Sequence, residues 1–141
     1  MWVHDYQQRL AAWVALRDRL GPQPLAQCLA AINQWWFAAP WQPYGLHWDD
    51  RDQWPDPWQL LADRVFCDVA RGLGILYTVL LLERDDCADA QLVRAEQGNL
   101  VLIEQGKYVL NWRPDTIVNI SSQAPSIQTV LEPAVLKSIT R

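Results

Sequence analysis

Between Asp5 and Leu20, the residues Tyr6, Leu10, Trp13, Val14 and Leu20 recur at roughly helical intervals, and Gly21-Pro22 stops the run. This predicts an amphipathic helix. A second helix is predicted from about Pro24 to Phe37, where Leu25, Cys28, Leu29, Ile32, Trp35 and Trp36 repeat at three and four residues before Ala39-Pro40. The stretch from Pro40 to Asp56 carries three prolines, several aromatic rings and the acids Asp49, Asp50 and Asp52, and reads as a packed irregular loop. Asp56-Pro57-Trp58-Gln59 then has the chemistry of a helix start: a capping carboxylate, a proline in the first turn and a glutamine able to reach back. Projected as one long helix, Trp58, Leu61, Ala62, Val65, Phe66, Val69 and Leu73 share an apolar face, opposite Asp63, Arg64, Asp68 and Arg71. On this reading Gly72 and Gly74 end the helix, and Ile75 to Leu82 becomes a central strand buried on both faces.

Beyond it, Glu83 to Asp89 is acidic and reads as a solvated turn, while Ala90 to Glu96 fits a strand or a helical turn equally. Asn99 to Glu104 and Lys107 to Trp112, joined by Gln105-Gly106, form a β-hairpin, and Thr116 to Ser121 alternates as another strand. The tail from Ser122 holds a short apolar segment between Pro125 and Pro133, which is expected to pair with a neighbour. These elements give an α+β fold class, with N-terminal helices and a central helix on an antiparallel sheet. One domain spans 1–141, with a helical, Trp-rich half to about residue 74 and a sheet half after it.

Composition narrows the function classes. At 141 residues, half of them hydrophobic and 20% charged, the chain suits one folded domain. A net charge of -4 has the wrong sign for binding a phosphate backbone, so no nucleic acid is expected as partner. The longest apolar stretch, Gly74 to Leu82, is too short for a bilayer span, and no membrane association is expected. The first residues show no export signal, and three cysteines without a CxxC pair suit reduced thiols rather than a disulfide framework. The unusual quantity is tryptophan: six of the nine fall between positions 35 and 58.

Three sets of residues are candidates for chemistry. Cys67 falls off the projected apolar face, with Arg64 and Arg71 placed to favour a thiolate and Asp63 and Asp68 opposing them; His47 is the candidate base. The weightier alternative makes Cys67 a small residue filling a second buried surface. Cys87 sits among acids that raise its pKa. His47, Asp49, Asp50, Asp52 and Asp56 match no metal-site spacing, so neither a metal nor another cofactor is expected. The aromatic cluster suits a sugar platform less well than a loop core or a protein interface, where Trp and Tyr dominate. Trp41, Tyr44, Trp48 and Trp54 are the expected interface residues, and Trp35, Trp36 and Trp58 the expected core.

The segments Ile32-Asn33-Gln34-Trp35-Trp36, Leu46-His47-Trp48-Asp49-Asp50, Trp54-Pro55-Asp56-Pro57-Trp58-Gln59-Leu60-Leu61 and Cys67 to Thr78 resemble small proteins encoded among the virion genes of tailed bacteriophages, cyanophages included. The resemblance implies a virion component of the tail, baseplate or fibre region, part of a symmetric multi-subunit assembly with other virion proteins as partners, put together in the bacterial host cytoplasm. The same region also resembles the core of transglutaminase-like cysteine enzymes. Counting back from Gly74-Ile75, that resemblance places the family's cysteine near Trp58 and its histidine at Asn111, so both halves of the catalytic pair are missing. The two function classes that follow are a non-enzymatic structural protein of a phage particle and a cysteine-dependent amidase or acyltransferase using Cys67 and His47.

Overall fold

The computed structural model describes residues 2–43, 54–63, 66–95, 98–118 and, for the backbone alone, 127–131. Helix α1 spans Tyr6–Leu20, and its first turn is closed by Asp5, whose carboxylate accepts the Gln8 N–H at 2.9 Å. Trp13, Leu16 and Leu20 face the core, together with the buried guanidinium of Arg9. Helix α2, Leu25–Phe37, follows Pro24 and buries Cys28, Leu29, Ile32, Asn33 and Trp36. Both spans agree with the expected helices, while Val14, placed by the periodicity on the apolar face of α1, is exposed.

The long helix expected from Asp56 is instead two. The predicted start is correct: α3, Pro57–Leu61, opens with a capping box in which Asp56 and Gln59 each bond the other's backbone N–H. It stops after Leu61, and Phe66 leaves the helical path to make a parallel β-bridge with Trp41 and pack against Trp2 and Trp36. Helix α4 then runs Asp68–Leu81, so Ile75 to Leu82, expected as a buried strand, is helical apart from the capping residue Leu82. The run is apolar all round because α4 lies between α2 and the sheet, and a continuous apolar stretch reads the same for a buried helix as for a buried strand.

Gly72 and Gly74 do not end this helix. Two residues apart, they lie about 200° round it, on opposite faces. A Cβ at Gly72 would stand 3.0 Å from Asn111 Nδ2 on the sheet side, and one at Gly74 would stand 2.6 Å from the Trp36 ring on the α2 side. Each glycine lets one layer approach.

One hydroxyl joins the three long helices. Thr78 Oγ1 accepts the indole N–H groups of Trp13 and Trp36, both at 2.9 Å, and donates to the Gly74 carbonyl at 2.7 Å. After α4, a 3₁₀ turn at Asp85–Cys87 leads into the sheet; Cys87, expected in a solvated turn, is buried there. Arg84 clasps this turn to the end of α1, donating to the carbonyls of Leu20, Gly21 and Gln23 while pairing with Asp86 at 2.7 Å.

The sheet contains β1 (Gln91–Ala95), β2 (Gly98–Ile103), β3 (Tyr108–Arg113), β4 (Thr116–Val118) and β5 (Ile127–Leu131), in the order β4-β3-β2-β1-β5, antiparallel throughout. The fold class is α+β, as expected. The segment left open at Ala90 to Glu96 is strand β1, and the tail segment pairs with β1 of the same chain. The expected hairpin is present; its turn places Glu104 and Gln105 at φ 54° and 56°, held by the Asp89 carboxylate, which accepts both their N–H groups. Leu92, Val101, Ile103, Tyr108 and Leu110 face the helices, while Val93, Ala95, Leu100, Leu102 and Val109 form a second apolar layer on the other face.

β3 breaks its own alternation. At Asn111 φ is +67°, a left-handed conformation that Asn tolerates better than most residues. Two-residue periodicity would send Asn111 to the outer face and Trp112 to the inner one; the observed contacts are reversed, with Trp112 packed on the outer layer and Asn111 hydrogen-bonded to α2 and α4. The ladder to β4 shifts register here, pairing only Tyr108 with Val118 and Arg113 with Thr116. Asn33 from α2 enters the gap. Its side-chain oxygen accepts the Asn111 N–H at 2.9 Å and its amide donates to the Arg113 carbonyl at 2.7 Å, as a neighbouring strand would.

Candidate functional site

The tryptophan surface starts at Trp41. Its backbone is pinned beside the core, because Phe66 N–H donates to the Pro40 carbonyl at 2.8 Å and Gln42 N–H to the Phe66 carbonyl at 3.0 Å. Phe66 in turn packs edge-on to Trp2 and Trp36, with ring centroids 5.4 and 5.6 Å away. Trp41 itself is 56% exposed. A large ring held outward on a fixed backbone loses little freedom when another surface covers it.

Trp58, expected in the core, is 40% exposed. The five-residue α3 buries Pro57, Leu60 and Leu61, and Trp58 is rotated about 100° from Pro57 on that helix. The reverse correction applies to Trp54, expected as an exposed anchor: it is 6% exposed and belongs to the main core cluster. Its neighbour Pro55 offers a carbonyl to the Tyr77 hydroxyl at 2.7 Å, which ties this stretch to α4. Trp36 is fully buried and Trp35 partly so, packed against Trp2 at 4.6 Å. Tyr44, His47 and Trp48 lie outside the described residues.

Cys67 is not on a helix face between two arginines. It is the N-cap of α4, 3% exposed, and its sulfur accepts the Ala70 N–H at 3.5 Å. The helix on the sheet therefore begins at Cys67, whereas Trp58 belongs to the separate α3.

Behind Cys67 lies a polar cluster that sequence reasoning missed. Arg71 Nε donates to Asn111 Oδ1 at 2.6 Å, and its guanidinium lies over the Phe37 ring at 3.9 Å; burial lowers its pKa, with Asp68 opposing. Asp68 accepts the backbone and side-chain N–H groups of Asn99 at 2.7 and 2.9 Å. Asn111 Nδ2 donates to the carbonyls of Asn99 and Asp68 at 2.7 and 3.0 Å. These bonds join α4, β2 and β3 at the head of α4, and the ring contact with Phe37 adds α2. The sequence signal was faint, because asparagines on a helix and two strands share no spacing, and the φ at Asn111 inverts the strand pattern.

The other two thiols are buried. Burial, and then the nearby Asp86 carboxylate, pushes Cys87 up to about 12, so the acidic surroundings singled out in the sequence add to a larger desolvation effect. Cys28 is raised by burial as well. Among the described residues no group of three or more His, Cys, Asp or Glu side chains comes together to hold a metal ion, and Asp56 is used as a helix cap. No helix among them is long and apolar enough to cross a membrane. No protein-family model matches the chain, and neither a curated protein nor a solved structure matches it.

Proposed function

We propose that this chain is a non-enzymatic structural subunit of a phage particle, in the tail, baseplate or fibre region, assembled in the bacterial host cytoplasm. It docks on neighbouring virion proteins through its tryptophan surface. The observation that carries this reading is the exposed Trp41 ring on a backbone bonded to the core, with Trp58 supplying a second exposed ring. Buried in a well-packed pocket, each ring contributes on the order of 2 kcal/mol or more to association, and symmetry multiplies the effect across an array.

The test is capture of the native partners by the purified chain and its variants. Trp41→Ala with Trp58→Ala should leave the folded spectrum and melting temperature close to those of the parent and abolish recovery of tail, baseplate or fibre proteins. Undiminished recovery by the double variant overturns the reading.

A cysteine-dependent amidase or acyltransferase is the second reading, favoured by the position of Cys67 as the N-cap of a 14-residue helix. His47 supplies the base on this reading. The raised Cys28 and Cys87 thiols serve as internal references in a labelling experiment. An enzyme requires Cys67 to react with iodoacetamide at pH 6 far faster than these two; the structural reading expects slow labelling at all three positions.

A further inference from the structure

We draw no further inference here: the strongest candidate, the acidic concavity lined by Asp85, Asp86, Asp89 and Glu104 between the 3₁₀ turn and the β2–β3 hairpin, is a cluster of carboxylates in which Asp89 already holds the hairpin backbone and Asp86 pairs with Arg84, and no second observation among the described residues points to a ligand there.

Discussion

Thr78 uses the full capacity of a hydroxyl, two accepted bonds and one donated, in a fully buried position. Thr78→Val keeps the shape and removes the oxygen, leaving two indole N–H groups without an acceptor in the core. Each costs about 1–3 kcal/mol, so the variant should lose about 2–6 kcal/mol, read as a lower urea midpoint at an unchanged slope. Thr78→Ser, which keeps the oxygen, should recover most of the loss. A Thr78→Val variant as stable as the parent would remove the hydroxyl from its bridging role. The sequence shows Thr78 only as a polar interruption in an apolar run, since nothing local indicates that Trp13 and Trp36 converge on it from elsewhere in the chain.

Elements whose ends carry their own chemistry were legible: the Asp56 cap and the hairpin turn both act within a few residues. Elements defined by what surrounds them were not. The run from Ile75 to Leu82 has the composition of a buried strand, and only the layers on either side make it helical. Gly72 and Gly74 looked like punctuation, yet they are contact points. The candidate surface divides in the same way: Trp41 is exposed, whereas Trp54 and Trp58 exchange their expected burial because α3 is short and buries Leu60 and Leu61. The most distant dependence is that of the sheet on Asn33. Asn33→Ala leaves the Asn111 N–H and Arg113 carbonyl without their partner, at a cost of about 2–4 kcal/mol in unfolding free energy. Asn33→Asp should also destabilise, because a carboxylate still accepts from Asn111 but cannot donate to Arg113. Calorimetric melting of the two variants checks both; parent-like melting of Asn33→Ala would show that the β3–β4 gap needs no filling.

At the scale of the molecule, two arginines fasten helix ends to distant chain. Arg9 donates to the carbonyls of Leu61 at the end of α3, of Asp63 beyond it and of Val3 and His4 before α1, and Arg84 does the same at the end of α1. Guanidinium groups suit this position because the last carbonyls of a helix lack internal partners and carry its negative pole. Hydrogen bonds from Arg84 hold the Asp86 carboxyl below the usual carboxylate range. The clasp therefore contributes stability above the unfolded Asp value of about 3.9, and that contribution is lost as pH falls through the lower folded value. Asp86→Asn should lower stability near neutrality and flatten its decline below about pH 4, measured by urea midpoints across that range. Parallel curves for variant and parent would show that the clasp adds nothing. The hydroxyl of Thr78 also has a meaning in time. Its indole partners lie 65 and 42 residues away along the chain, so each bond waits on the closure of its own long loop. Contacts that form after the folding transition state contribute little to the rate of folding and most to the barrier against leaving the native state. On that ground Thr78→Val is expected to act mainly by speeding the unfolding of the chain.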